Sequence, residues 1–294
     1  MASPGADGSG SPTQSRSAVT RIEILVDTRA ATGTTNAYLV GGLLVDPAAR
    51  TDELDAAVAE RATLPGDRGG IEAIAVTHTH PDHVGAVADY ADRTGATVHA
   101  HADHVDRFRE ATGVDPDATF RDGDAIGETG VRALDTPGHA PDHVAFAVGD
   151  VGGGGGSDGG DGDGDEPEPP AEALVGDLAV AEGSIVVGAP EGDVHEYLAS
   201  LERVRDRGFA RLHPGHGPAV DDPDATCERL IDHRLEREER VLAAVEAGAS
   251  DVDSILEAAY GKDLTGVEDL ARATVRAHLE KLAAEGRIDA SWRE

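Results

Sequence analysis

The sequence predicts an α/β protein: sheets covered on their outer faces by helices, followed by a small, mostly helical appendage. Three observations carry that prediction. Short alternating or apolar runs recur with helical periods between them across residues 19–222. A Gly-, Asp- and Pro-rich stretch at 151–170 interrupts the series without ending it. Beyond residue 248 the pattern changes to two closely spaced helical periods.

Taken in order, alternation through Arg21, Ile22, Glu23, Ile24, Leu25 and Val26 marks a first strand. Residues 36–40 and 43–46 read as a hairpin across Gly41 and Gly42, a two-residue turn pattern. Thr51 caps a helix reaching to about Ala62. The apolar run 71–77 is a strand; Asp82 or a neighbour caps the next helix, which runs through Arg93 and closes at Gly95. Residues 96–100, 131–136 and 144–148 continue as strands, and 173–175 and 184–187 do so past the insertion. Val194, Tyr197, Leu198, Leu201 and Val204 fall at helical spacing within 193–207. A short strand at Arg211 and Leu212 leads into the loop 213–218, and a charged helix spans 224–247.

Helices at 250–260 and 267–285 and a short strand to Trp292 suggest a winged-helix-like unit. Arg272 and Arg276 lie one turn apart on its second helix. Packing of this segment on the main domain or on a partner subunit is the competing reading. The expected organisation is a disordered tail at 1–18, a main domain at 19–222 with 151–170 as a flexible insertion, a connecting helix at 223–248 and the small domain at 249–294.

Composition narrows the setting. Net charge is −32, and Lys262 and Lys281 are the only lysines. So acidic a surface stays hydrated where added ions screen its self-repulsion, which fits a cytoplasmic protein of a halophile. Strand and helix patterns exclude a disordered acidic chain. Cys227 stands alone, so no disulfide or thiolate cluster forms within one chain, and it reads as a small apolar filler. No run approaches the roughly 18 apolar residues of a membrane span, and residues 1–17 lack the apolar core of a secretion signal. Asp163 and Asp165 suggest a calcium loop, but Glu166 occupies the position that needs Gly, so that reading is set aside.

The chemistry concentrates in His78, Thr79, His80, Pro81, Asp82 and His83, an H-x-H-x-D-H run directly after a strand. Imidazole and carboxylate donors this close can grip two cations, and a cation pair turns water into a nucleophile at neutral pH. His139, Asp177 and His216 follow later, each just past a strand end. The same spacing recurs at His99, His101, Asp103 and His104, but that copy lacks Pro81 and Gly85 and follows a shorter strand, so the first copy is preferred.

On these motifs, H-x-H-x-D-H, then P-G-H, G-D and P-G-H-G-P in that order, residues 20–220 resemble the metallo-β-lactamase superfamily. The resemblance implies a four-layer αββα sandwich with two metals at one edge. It implies His78, His80 and His139 around one metal, Asp82, His83 and His216 around the other, and Asp177 bridging. Nitrogen and oxygen ligands suit zinc and permit manganese or iron. The implied reaction is attack by a metal-held hydroxide on an ester, thioester, amide or phosphodiester, with Asp82 accepting the proton.

Residues 136–143, Pro190 to Asp193, Tyr197 with Leu198, and His233, Arg234, Arg237 and Glu238 resemble the beta-lactamase-like protein 2 branch, neighbour to the glyoxalase II thioesterases. That branch implies a winged-helix-like C-terminus and, in its best-described member, an endoribonuclease acting on single-stranded RNA. His143, His233 and Arg234 are candidate contacts to an anionic substrate, or else packed and ion-paired residues. Three functions follow: a hydrolase of a small anionic, ester or thioester substrate, a single-strand ribonuclease, or a nucleic-acid-binding protein with a structural metal. No membrane partner is expected, and a homodimer stays open.

Overall fold

Alternation along the strands builds two sheets that share a core. The computed structural model describes residues 19–63, 70–149, 171–261 and 264–293. The 1–18 tail, the 151–170 insertion and the calcium reading at Asp163 and Asp165 lie outside the described residues. The first sheet contains β1 (Val19–Leu25), β2 (Thr34–Val40), β3 (Leu43–Val45), β4 (Ala73–Ala75), β5 (Thr97–His101) and β6 (Ala118–Phe120), in chain order. Its first three strands are antiparallel and the rest run parallel. The second sheet contains β7 (Val131–Asp135), β8 (Val144–Val148), β9 (Glu172–Gly176) and β10 (Arg211–Pro214), ordered β10-β9-β8-β7. Only its β9–β10 pair is parallel.

Period-two alternation sorts the side chains into layers. Tyr38 and Val40 on β2 meet Val131, Phe146 and Leu174 of the other sheet. Ala37 and Leu39, on the opposite face of that strand, join Leu54 of α1 (Asp52–Arg61), Val84 of α2 (Pro81–Val84), Tyr90 of α3 (Val87–Thr94) and Phe108 of α4 (Val105–Thr112). On the far side, Ala145 and Val175 pack with Tyr197 and Leu201 of α5 (Val194–Asp206) and Cys227 and Leu230 of α6 (Pro223–Glu246). The result is helix, sheet, sheet, helix. Each fully buried Leu or Phe in these layers contributes about 1.5–3 kcal/mol.

Caps fall where side-chain chemistry puts them. Thr51 accepts from the Leu54 amide at 3.1 Å, and Asp193 accepts from that of Glu196 at 3.0 Å. The expected helix through Arg93 is broken into α2 and α3, because the Ala86 amide donates instead to Pro47 O at 2.8 Å. Residues 184–187 are not a strand; the carbonyls of Ile185 and Val186 accept from side chains rather than from a ladder. Helix α4 and strand β6 go beyond the elements that the sequence pattern predicts, since both are short and follow the second histidine cluster.

The C-terminal segment holds α7 (Val252–Ala259), α8 (Glu268–Ala284) and a 3-10 turn at Ala290–Arg293. The strand expected to reach Trp292 is that turn: the Asp289 carboxylate accepts from the Ser291 amide at 2.9 Å and favours a turn over an extended chain. Among the described residues 249–293 contain no strand, so the hairpin of a winged helix is absent there. Nor does packing break at 248, since Val241 and Ala244 of α6 share a core with Ile255, Val275 and Leu282. Ala277 of α8 reaches the core of the sandwich itself. Among the described residues no helix is long and apolar enough to cross a membrane.

Candidate metal centre

Strand C-termini deliver the donors to one edge. The loop after β4 carries His78 and His80, and α2 directly behind it carries Asp82 and His83; the loops after β7, β9 and β10 carry His139, Asp177 and His216. His78 Nε2 and His139 Nε2 each stand 3.0 Å from His80 Nδ1. His216 Nε2 lies 3.7 Å from Asp82 Oδ2, and His83 Nε2 lies 3.6 Å from Asp177 Oδ1. Asp177 sits between the two groups, its Oδ2 at 3.6 Å from His139 Nε2 and 3.4 Å from His216 Nε2.

These spacings fit cations. Donors about 2.0–2.1 Å from a tetrahedral zinc stand about 3.4 Å from one another. His83 Nε2 and Asp177 Oδ1 are buried and have no hydrogen-bond partner. Leaving a buried polar atom unpaired costs about 1–3 kcal/mol, which a bound cation offsets. His80 and Asp82 are the most open donors, their side chains 27% and 18% exposed, so the centre opens to solvent on their side.

The remaining ring nitrogens are fixed from behind, as metal-ligating histidines require. His83 Nδ1 lies 3.0 Å from Asp46 Oδ2, and Asp46 also accepts from the Thr77 amide at 2.6 Å and hydroxyl at 2.7 Å. His216 Nδ1 donates to Thr34 O and His139 Nδ1 to Val186 O, both at 2.7 Å. His80 Nε2 faces Glu191 Oε2 at 3.0 Å, and the Thr28 hydroxyl donates to Asp82 Oδ2 at 2.5 Å. Across the sheets, Asn36 Nδ2 donates to Pro214 O and Gly217 O at 2.9 and 2.8 Å, holding the His216 turn. That turn needs Gly215, where a Cβ would come within 2.6 Å of Asp177 Oδ1 and 2.7 Å of His83 Cε1.

Electrostatics follow the packing. Burial raises the Asp177 carboxyl, but its hydrogen bond to His216 and the charges of His83 and His139 outweigh that and hold it far below the usual range. Burial lowers His83, yet Asp46 overcomes it and lifts the ring to about 9. Glu191 is pulled down to about 2, chiefly by Arg107, which meets it with both terminal nitrogens at 3.0 Å.

The three candidate substrate contacts fare differently. His143 is buried, its Nδ1 donating to Thr136 O at 2.9 Å and its Nε2 accepting from the Asp177 amide at 3.1 Å. With both nitrogens engaged it orients Asp177 and offers nothing to a substrate. Arg234 is also buried, donating to Ile185 O and lying over the Tyr197 ring at 5.5 Å. Helix α6 turns it inward, where it packs away from the surface. His233 lines a surface hollow with Glu228, Arg229, Asp232 and Glu236, which contains none of the seven donors. Asp46, Thr28 and Arg107 are not among the residues singled out from sequence, and Glu191 appears there only within the 190–193 motif, without a role. Asp46 carried a signal of its own, an acid directly after the apolar run Leu43–Val45.

The second histidine cluster does not assemble. Among the described residues the metal-competent groups are His78, His80 and His139; His78, His83 and Asp177; and Asp82, His83 and His216. His101 pairs instead with Asp135 at 3.2 Å, and Asp103 with Arg121 at 2.6 Å.

Comparison with known proteins agrees with this geometry. Residues 30–154 match the family model described as Metallo-beta-lactamase superfamily. A beta-lactamase-like protein 2 homolog of Caenorhabditis elegans is 25% identical over 265 residues, covering 87% of this chain and 80% of that protein. An atrochrysone carboxyl ACP thioesterase of Aspergillus fumigatus is 26% identical over 261 residues, covering 80% and 71%. In fold, the chain is similar to a crystal structure of a metallo-beta-lactamase family protein from Thermus thermophilus. The TM-score is 0.67 and the identity 24%, covering 92% of this chain and 94% of that one.

Proposed function

We propose that this chain, which carries a metallo-β-lactamase superfamily domain and is a hydrolase of that fold, works with two divalent cations, zinc first among them, on a small ester or thioester substrate. The observation that carries the reading is Asp177, set between two donor groups with one carboxylate oxygen buried and unpaired. Manganese and iron remain compatible with an all-nitrogen and oxygen donor set. When bound, such a pair supplies a nucleophile from water at neutral pH and neutralises charge developing on the substrate oxygen.

The chain's own residues do the rest. His78, His80 and His139 would hold one cation, Asp82, His83 and His216 the other, and Asp177 would fix their separation. Asp82 is the proposed proton acceptor: the Thr28 hydroxyl donates to it and fixes its orientation, and it stands on the open side. The His143 ring receives the Asp177 amide and holds the start of that loop in place.

Two observations support the small substrate. A relative is named a thioesterase, and a net charge of −32 repels a polyanion, whose binding needs clustered Arg and Lys. Single-stranded RNA is the second reading, favoured by the 87% span shared with a beta-lactamase-like protein 2 homolog and by the weakening of charge repulsion in high salt. A purely structural metal with nucleic-acid binding fits less well, since structural sites are closed.

The deciding experiment is metal analysis with side-by-side assays of S-lactoyl-type thioesters and single-stranded RNA, in molar KCl. Thioester turnover with two metal equivalents is expected. RNA cleavage without thioester turnover would shift the assignment to the ribonuclease. Metal without hydrolysis of either substrate would overturn the enzymatic reading.

A further inference from the structure

Residues 185–192, an irregular segment between β9 and α5, are attached on both sides. Toward the metal centre, Val186 O accepts from His139 Nδ1 at 2.7 Å and Glu191 Oε2 meets His80 Nε2 at 3.0 Å. Toward the C-terminal helices, Ile185 O accepts from the buried Arg234 of α6, and the Ala189 amide donates to Ala273 O of α8 at 3.0 Å. The segment is closed on itself by the Gly192 amide donating to Gly188 O at 2.8 Å. Gly188 lies so near α8 that a Cβ there would stand 2.8 Å from Ala273 Cβ.

The other donor group is backed differently. His83 rests on Asp46 at the end of β3, and His216 on the Thr34 carbonyl of β2, both within the first sheet. Among the described residues, its link toward α8 runs from Thr28, which touches Asp82, through the neighbouring Arg29 to Asp269 and Gly266 O. That ion pair is 56% and 66% exposed, and such pairs contribute about 0–1 kcal/mol.

We propose that 185–192 is a positioning strap through which Arg234 and the Gly188–Ala273 contact fix the rings of His139 and His80. The C-terminal helices thereby set the affinity of the first cation position and leave the second to the sheet. The proposal rests on the two-cation reading above. Arg234 and Gly188 are positioning residues, acting through Ile185, Val186 and Glu191. Loss of such backing lowers metal affinity about 10–100-fold.

The test is equilibrium dialysis of the full chain against graded free Zn²⁺, with metal counted per chain and unfolding of the metal-free protein followed in parallel. Wild type should hold two equivalents. Gly188→Ala should weaken one equivalent about 10–100-fold and leave the other unchanged. Adding Ala273→Gly should restore most of it, since the 2.8 Å clash goes and the nearest remaining atom is the Ala273 backbone carbon at 3.3 Å. Arg234→Met should act like Gly188→Ala; should that variant fail to fold, the Gly188 and Ala273 pair decides. In a His139→Ala background, Gly188→Ala should weaken the remaining equivalent no further. Folded Gly188→Ala that keeps both equivalents at wild-type affinity, or weakens both alike, or is not rescued by Ala273→Gly, overturns the strap. Wild type holding fewer than two equivalents overturns the two-cation reading itself, and the strap with it.

Discussion

The chain writes H-x-H-x-D-H twice, at residues 78–83 and 99–104, and folds the two copies to different ends. In the first copy the histidines lie beyond the end of β4, in backbone free to curl until His78 Nε2 and His80 Nδ1 stand 3.0 Å apart. In the second copy His99 and His101 are still inside β5. Residues two apart in a strand advance about 6.6–6.8 Å along one face, too far for their rings to meet on one ion without a turn. Each then finds its own surroundings: His99 is buried, which lowers its pKa, and His101 pairs with Asp135. The same four letters at the same spacing therefore mean a donor cluster or a set of separate contacts, according to where the strand ends.

The contrast can be broken first at Asp82. Asp82→Ala should lower turnover about 10²–10⁴-fold, the usual worth of a positioned proton acceptor. Near-normal rates at full metal occupancy would remove Asp82 from that role. Next comes the backing that only the first copy enjoys. Asp46→Ala, which strips the acceptor from His83 and Thr77, should weaken the second cation position about 10–100-fold in a Zn²⁺ titration. An unchanged affinity would mean that Thr77 and the strand end suffice. Smaller still is the double change His99→Ala and His101→Ala, expected to leave metal content at the wild-type value by elemental analysis. A lost equivalent would mean that the second copy binds after all. Smallest of all, Asp135→Ala frees His101 of its carboxylate and should add no metal, since His101 and the neighbouring His104, 5.2 Å apart between ring centroids, belong to no group of three donors among the described residues.

Much of the architecture was legible because it rests on local rules. Period-two alternation marked β1, the Gly41–Gly42 turn marked the hairpin of β2 and β3, helical spacing marked α5, and Thr51 and Gly95 announced the ends of their helices. The failures have equally local causes. Residues 184–187 carry a strand-like apolar pattern, but no neighbouring edge pairs with them and side chains take their carbonyls. The approach to Trp292 looked extended, and Asp289 turned it into a 3-10 turn. Arg234 read as a substrate contact or as an ion-paired residue of an exposed helix face, because its rotation about α6 cannot be read without knowing what α6 covers.

The sequence by itself determined the identity of the donors and their order along the chain, because imidazoles and carboxylates just past apolar runs are a local pattern. It determined the layer-forming faces for the same reason. The preference for the first copy of the motif was already legible in Pro81 and Gly85, whereas tertiary structure alone decided that Asp46, Thr28 and Glu191 stand behind the donors. It also decided that the C-terminal helices reach the centre through 185–192. Those are contacts between residues far apart in the chain, such as Glu191 and His80, separated by 111 positions. Nothing within either residue's own neighbourhood specifies such a meeting; packing of the layers does.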